Sequence, residues 1–509
     1  MSHFSRFSSF LIAATLGVPA LAAAAPVTPV SPATAPPVAP VAPAAPPAAA
    51  APGTPPTTPA PLPDAPPPSA SPVAPQPAPA PIEQPSAPAS PATADARIQE
   101  LEQKVSALEQ HVAAENSENA ELIPGDATAT PGVAVAYAND GVSIRSNDGR
   151  FVFRLRPILQ TDGRFFVDGG TNQFLLRRVR PYLEGTAFSF FDWRIMPDFA
   201  GTPTIYDAYG NVRLIKEVQL QFGKYKAPVG LERLASDTDL PFVERGLPSD
   251  LVPDRDVGVM LHGDLVDGAL TYALGIFNGT DDGIQSDTDN NDKKDVDGRI
   301  FALPFKPTTL GFLKNFGLGV SATSGKHAGA QPAYKTMGQN TFFSYSSSAV
   351  SEGIHRRIVP QAYYYVGPLG ILAEYAISSQ GMTAGATTAR VTDRAFQILG
   401  SVFLTGETNS YGTVTPKHQL DPAHGGFGAV QLVARYGELH IDKDAFTKLA
   451  DPTKSAIQAR EWAVGANWHL ARNVKLMADY EHTNFIAGAK NEGNRTHEAV
   501  FLTRFQVAY

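Results

Sequence analysis

Phe151-Val152-Phe153-Arg154-Leu155-Arg156-Pro157-Ile158-Leu159-Gln160 is the stretch whose reading decides the fold. Neighbouring residues of a β-strand point to opposite faces. Phe151, Phe153, Leu155, Pro157 and Leu159 therefore share one face, and Val152, Arg154, Arg156, Ile158 and Gln160 share the other. One face is apolar and the other carries two arginines. The contrast returns near the other end of the chain, in Val474, Leu476, Ala478 and Tyr480 against Lys475, Met477, Asp479 and Glu481. It is seen again in Trp462, Val464, Ala466, Trp468 and Leu470 against Glu461, Ala463, Gly465, Asn467 and His469. In a soluble sandwich the polar face would be the outside; in a transmembrane barrel it is the inside. Alternation alone does not separate the two.

Three features further out favour the membrane. Met1 to about Ala24 reads as a secretory signal: a weakly basic start (His3, Arg6), the apolar run Phe10–Ala24, and small residues at Ala22-Ala23-Ala24. The run is shorter than the roughly 20 residues of a spanning helix, which leaves strands as the way across a bilayer. Aromatic residues (Tyr363, Tyr364, Tyr365, Trp462, Trp468, Phe505) fall near strand ends or on apolar faces, where interfacial girdles lie. Residues 495–509 form one long alternating strand, whose face Ala499, Phe501, Thr503, Phe505, Val507 and Tyr509 ends in a terminal aromatic. That pattern resembles the assembly signal of outer-membrane barrels. The chain has no cysteine, so an exported protein of this size must be held together by other means. A closed barrel does this, since no strand edge is left unpaired.

Sixteen candidate strands follow: 150–160, 174–187, 192–201, 204–213, 217–226, 255–264, 269–277, 298–306, 316–324, 356–366, 370–379, 393–404, 427–440, 457–470, 473–484 and 495–509. An even count is what an antiparallel barrel with both ends in the periplasm requires. With the first strand starting on the periplasmic side, most periplasmic connections come out short. The exception is 405–426, where the strand register is open to doubt. The expected fold is therefore all-β: a sixteen-stranded antiparallel transmembrane barrel over residues 140–509.

The residues before it are of another kind. Residues 25–92 are a Pro/Ala-rich linker; 26–92 alone hold 26 of the 45 prolines. Such a segment buries no core and stays extended, reaching on the order of 200 Å at roughly 3.1 Å per residue. Within 93–115, Ile98, Leu101, Val105, Leu108 and Val112 recur at heptad spacing, which predicts a short coiled-coil helix. Two heptads need partners already held close, as a homotrimeric barrel would supply; the alternative is an amphipathic helix on the barrel's own periplasmic rim. The net charge of −8 argues against nucleic acid as a partner. The surroundings expected are outer-membrane lipid, with the N-terminal segment in the periplasm.

Several segments resemble the phosphate-selective porin O/P family. They are Leu176-Arg177-Arg178-Val179-Arg180-Pro181-Tyr182-Leu183-Glu184-Gly185, Asp192-Trp193-Arg194-Ile195-Met196-Pro197-Asp198-Phe199 and Tyr206-Asp207-Ala208-Tyr209. Next come Gly223-Lys224-Tyr225-Lys226-Ala227-Pro228-Val229-Gly230-Leu231-Glu232-Arg233, then Pro241-Phe242-Val243-Glu244-Arg245 and Asp256-Val257-Gly258-Val259. Tyr272-Ala273-Leu274-Gly275-Ile276-Phe277-Asn278-Gly279 and Gly428-Ala429-Val430-Gln431-Leu432-Val433-Ala434-Arg435-Tyr436 complete the set. The likeness covers roughly 140–509 and implies a trimeric sixteen-stranded barrel for passive diffusion of anions.

A pore prefers anions when fixed positive charge lines its narrow part. Guanidinium suits phosphate because its planar fork donates two parallel hydrogen bonds and stays charged. Residues 145–233 carry fourteen basic against nine acidic residues. Strand parity aims Arg154 and Arg156 of the first strand, Arg178 and Arg180 of the second, Arg194 of the third and Arg213 of the fourth into the lumen. A lipid-facing arginine would cost about 2–4 kcal/mol at mid-bilayer. The 28-residue connection 227–254 is expected to fold into the channel and adds Arg233. It also carries Arg245 and the acids Glu232, Asp237, Asp239, Glu244 and Asp250, which departs from a strongly basic constriction. The competing reading is a wall of arginines neutralised by Asp162, Glu184 and Asp198. By parity, Lys224 and Lys226 can snorkel at the interface.

Other chemistry is weakly signalled. Residues 281–297 hold seven Asp and two Lys, and Asp287, Asp289 and Asn291 have calcium-loop spacing, but Asp292 stands where such loops need glycine. The segment reads as a solvated loop, and no metal or cofactor is expected. A Gly-x-Ser-x-Gly elbow is absent, and no enzyme activity is expected. The sequence thus reads as a porin for small anions of phosphate or polyphosphate type. The alternative is a general porin whose N-terminal region ties the outer membrane to peptidoglycan.

Overall fold

The computed structural model describes residues 133–289, 291–451, 455–487 and 497–509. The expected signal segment (1–24), the Pro/Ala-rich linker (25–92) and the coiled-coil helix (93–115) lie outside the described residues.

Almost everything described is antiparallel sheet. A hairpin of β1 (Val133–Ala138) and β2 (Gly141–Ser146) comes first. There follow β3 (Val152–Asp168), β4 (Gln173–Ala187), β5 (Phe191–Asp198), β6 (Thr204–Ile215), β7 (Val218–Lys226), β8 (Arg255–Leu265), β9 (Leu270–Phe277), β10 (Asp295–Ala302) and β11 (Phe316–Ala330). Two short strands, β12 (Tyr334–Lys335) and β13 (Thr341–Phe343), pair within a connection. The series ends with β14 (Val350–Val366), β15 (Leu369–Ala384), β16 (Thr387–Phe403), β17 (Ala429–His440), β18 (Ala456–Ala471), β19 (Val474–Ala487) and β20 (Glu498–Ala508).

The last strand returns to the first of the ring. β20 pairs with β3 from Ala508 opposite Ile158 to Ala499 opposite Asp168. This closes a barrel of sixteen strands, β3–β11 and β14–β20, among the described residues. The expected faces hold. Phe151 and Leu159 are exposed on the outer surface, with Leu274, Ile276, Ile300 and Leu318, while Gln160, Asp162 and Arg164 are buried inside.

The structure corrects the sequence reading at several edges. The sheet begins at Val133, before the expected boundary at 140, because β2 pairs with the start of β3 (Val142 opposite Leu155, Arg145 opposite Val152). Val133-Ala134-Val135-Ala136-Tyr137-Ala138 has little contrast between its faces, so alternation does not flag it. The tall strands β14, β15 and β16 run past their expected ends at 356, 379 and 393 to Val350, Ala384 and Thr387. There the ladder continues after the apolar/polar contrast stops. The doubt over 405–426 is resolved in favour of the register: β16 ends at Phe403, β17 starts at Ala429, and Phe403 stands opposite Gln431.

The lumen is partly filled. The connection 227–254 enters it, with one helical turn at Leu231–Leu234. The free amides at the start of that turn, Leu231 N and Glu232 N, donate to the Glu374 carboxylate at 2.7 and 3.3 Å. Val243 N donates to Asp479 at 2.6 Å. Ala227, Val229, Leu247, Leu251 and Val252 then pack with Phe342, Phe343, Ala376, Ala395, Leu439 and Ala459. On this side the barrel's inner face is therefore covered by loops, its apolar contacts set among buried polar groups such as Glu374, Gln397, Arg435 and Glu461. From the periplasmic end, 404–428 also enters: the Tyr411 hydroxyl donates to Leu231 O at 2.5 Å, and its ring stacks on Tyr363 at 5.3 Å.

Candidate functional site in the lumen

Two cavities lie in the lumen between the 227–254 connection and the wall β4–β8, and a further space lined by Arg156, Leu372, Leu399, Phe403, Gln431 and Lys475 lies toward the β15–β19 side. An outer cavity of about 460 Å³ is lined by Arg177, Arg178, Arg180, Arg233, Arg245, Arg255 and Lys335, with Asp237, Glu244, Asp250, Asp254 and Asp282. A second cavity of about 290 Å³, lined by Tyr182, Arg194, Asp207, Tyr209 and Lys226, lies beyond it. Both touch Asp237 and Arg255, so these residues mark the neck between them.

The neck is built from β4, β5, β6, β8 and the inserted connection. β4 supplies Arg180, whose Nε donates to Asp198 of β5 at 2.6 Å. Its other guanidinium nitrogen meets Asp237 of the inserted connection. β6 supplies Tyr206, whose ring centroid lies 3.8 Å from the Arg180 guanidinium carbon and 4.6 Å from that of Arg255. β8 supplies Arg255, which donates to Asp207 at 3.0 Å. Arg178 and Arg245 also pair with Asp237, at 3.4 and 2.6 Å. Burial alone would raise the Asp237 carboxyl, but Arg178, Arg245 and Arg180 together hold it well below the usual carboxylate range. This acid stays ionised, and one carboxylate is shared among three guanidinium groups.

The other sequence-predicted arginines are placed as follows. Arg156 and Arg194 share Glu184, at 3.1 and 2.7 Å, and Arg156 Nε donates to Tyr509 O at 3.0 Å. Arg154 is half-buried opposite Glu184 across β3 and β4. Arg213, far from the neck, meets Asp192 at 3.4 Å and Ser189 O at 2.9 Å. Arg233 lies within the inserted connection, bonded to Ser249 O and 3.7 Å from Asp254. Of the expected acidic partners, Glu184 holds Arg156 and Arg194, and Asp198 holds Arg180. The third expected partner, Asp162, instead holds Arg504 with two bonds of 2.7 Å.

Strand parity missed Arg177. The β3–β4 register shifts between Gln160 and Thr161: Gln160 faces Arg178, while Thr161 faces Leu176. The extra residue is a β-bulge, and it lets Arg177 reach the lumen beside Arg178. Arg177 bonds both carboxylate oxygens of Glu244, at 2.6 and 3.1 Å. The signal was present in the sequence, since two adjacent arginines cannot both face inward on a regular strand and lipid would penalise one of them. Snorkelling is corrected for both lysines: Lys224 is held by Ile205 O and Asp287, and Lys226 by Ala235 O. In the acidic loop, Asp287 and Asp289 pair with Lys224 and Lys294, which occupies the carboxylates of the calcium-like spacing.

Solved structures of similar fold include OmpT of Vibrio cholerae (11% identity, TM-score 0.45, covering 71% of this chain and 98% of that one). They also include the outer membrane channel DcaP of Acinetobacter baumannii (10%, 0.45, 72% and 99%) and an anion-selective porin from Comamonas acidovorans (10%, 0.41, 70% and 100%). No curated protein matches the chain. The family model described as phosphate-selective porin O and P matches residues 161–509. A closed barrel with an inserted loop and a match over most of the chain lead to one conclusion: the chain belongs to the phosphate-selective porin O and P family and is a non-enzymatic channel of the bacterial outer membrane.

Proposed function

We propose that this porin passes small anions, of phosphate or polyphosphate type, by passive diffusion, and that it works as a homotrimer. The observation that carries the reading is the neck, where Arg178, Arg180 and Arg245 share the single carboxylate of Asp237 and Arg255 stands beside them. An anion arriving there exchanges its hydration for guanidinium donors that are already oriented, while Asp237 competes for the same donors. That competition keeps binding weak enough for release, as conduction requires. Arg156, Arg194, Arg154 and Arg213 continue the path toward the periplasm, and Arg233 stiffens the loop behind the neck.

The test is reversal potential across a planar bilayer in a salt gradient. Anion preference is expected, and cation preference sinks the reading. Millimolar phosphate should reduce chloride current through the wild-type pore, and Arg180→Ala should relieve that block. Asp237→Asn should do the opposite and raise the anion permeability ratio by about two- to tenfold, or roughly 0.4–1.4 kcal/mol.

A second reading has its own observation. Arg156, Arg180 and Arg194 each have an acidic partner within 3.1 Å, so the fixed field is weaker than the count of arginines suggests. In that reading the pore is general, and residues 25–115 tie the outer membrane to the cell wall. Weak selectivity with no phosphate block, together with loss of envelope integrity on deleting 26–113, would favour it.

A further inference from the structure

Beside the outer cavity, which Asp282 also lines, the inner wall at the outer end of β10, β11, β14 and β15 carries a second built cluster. His327 of β11 stands between two carboxylates: Nδ1 is 2.6 Å from Asp281 Oδ1, and Nε2 is 3.0 Å from Asp295. His355 of β14 is fully buried, its ring centroid 4.6 Å from that of His327. The Ser378 hydroxyl donates to Asp282 at 2.6 Å, so its oxygen accepts from His355 Nε2–H at 2.7 Å. His355 Nδ1 consequently accepts from Arg357 Nη2 at 3.3 Å, a bond that an incoming ion would displace.

We propose that Asp281, His327 and His355 form a binding site for a divalent transition-metal ion of the zinc type. One donor atom from each residue lies within 4.8 Å of the other two. Zinc–ligand bonds of about 2.0–2.2 Å place neighbouring donors roughly 3–3.5 Å apart, so the Asp281–His327 pair, hydrogen-bonded at 2.6 Å, opens slightly while wider separations of up to 4.8 Å close. Two imidazoles and one carboxylate, with no thiolate, suit a borderline metal and leave a coordination position for water. Asp295 already holds His327 Nε2–H, and Ser378 holds His355 Nε2–H. This is the outer hydrogen-bonding that orients imidazole ligands around a metal. On binding, the ion replaces the proton shared between His327 Nδ1 and Asp281, and that proton leaves to solvent.

Two independent observations point to a missing cation. Asp297 follows Asp295 on the same face of β10, is 2% exposed, and its Oδ1 has no hydrogen-bond partner among the described residues. Four carboxylates (Asp281, Asp282, Asp295 and Asp297) thus surround one arginine and two histidines, Arg357, His327 and His355. The cluster is also shaped into the backbone: a Cβ on Gly325 would fall 1.6 Å from Asp295 Oδ1, so only glycine there admits that carboxylate. Asp281 is partly exposed and gives the ion a way in.

The site is coupled to the passage. From Asp282 the chain continues to Gly283 N, which donates to Val252 O at 2.9 Å, and Ile284 O accepts from Asp254 N at 2.8 Å. A metal on Asp281 therefore braces the outer end of the inserted connection against the barrel wall.

The test uses the full-length protein in detergent, stripped with chelator and titrated with Zn²⁺ by calorimetry and with Co²⁺ by visible absorption. Expected are one ion per protomer at micromolar affinity or tighter, proton release on binding, and a cobalt d–d band without thiolate charge transfer. His355→Gln and Asp281→Asn should each weaken binding at least tenfold. The absence of a cobalt band, or unchanged affinity in both variants, overturns the proposal and assigns any binding to surface histidines such as His482 and His497. Should His355→Gln fail to give the heat-modifiable barrel, Asp281→Asn, which alters only a loop, decides with the wild-type spectrum.

Discussion

Arg177 and Arg178 are neighbours in sequence, yet both reach carboxylates of the same inserted connection, Glu244 and Asp237. Alternation aims Arg178 and Arg180 inward, and it missed Arg177 because a bulge has no signature in parity. The partners were hard to foresee for a similar reason. Glu184 and Asp198 sit on adjacent strands and could be named, whereas Asp237 comes from a loop whose path parity does not describe. Arg177→Ala should lower stability by on the order of 1–3 kcal/mol, less than the about 3–5 kcal/mol of a fully orphaned buried charge, because Arg164 and Arg504 remain at 3.3 and 3.7 Å from Glu244. The urea midpoint for unfolding from lipid vesicles measures it. Asp250 gives a pH dependence: burial pushes its carboxyl up to about 7. In the unfolded chain an aspartate titrates near about 4, so its stabilising effect is present at low pH, declines between these values and is constant above them. Above about 7 it also places a negative charge in the outer cavity. Anion preference should fall between pH 6 and 8 in the wild type, and Asp250→Asn should flatten that change in reversal potential.

At the scale of elements, the strands were legible and the connections were not. A strand announces itself every second residue, while a loop that folds inward announces only its length. The 25 residues between Phe403 and Ala429 looked out of place on the periplasmic side. They insert instead, with Tyr411 bonded to Leu231 O and Thr413 to Asp239 at 2.9 Å. The two inserted connections thus support each other from opposite ends of the barrel. Replacing residues 408–414 with a short Gly-Ser linker should raise single-channel conductance, because the plug recedes, and should add current noise, because Leu231 and Asp239 lose their partners. A conductance equal to wild type would mean the passage runs wholly clear of this segment.

For the molecule as a whole, the even strand count and the terminal aromatic followed from the sequence, since closure is a global property that each strand's pattern reports. The loop-covered inner face of β14–β18 did not follow, because Val359, Ala376 and Leu439 are cores for loops that strand patterns cannot show. The arginine-bearing wall keeps two cavities open beside the inserted connection, so a solute there passes the charge. Deleting 26–113 should leave conductance per barrel unchanged while reducing the fraction that migrates as an SDS-resistant trimer, if the heptad segment helps hold three copies together.

The hairpin at the barrel's foot has a consequence for how the ring is sewn shut. β3 is shared: β2 occupies its first residues up to Leu155, and β20 occupies it from Ile158 onward. Tyr137 of β1 meets the last residue directly, hydroxyl to hydroxyl, at 2.8 Å. A sheet closing on itself can otherwise settle one dipeptide too far along its seam with every ladder bond still made. Here that slide drives Tyr509 into β2. The hairpin is therefore an end-stop, and it sets the stagger of the ring at the last step of assembly.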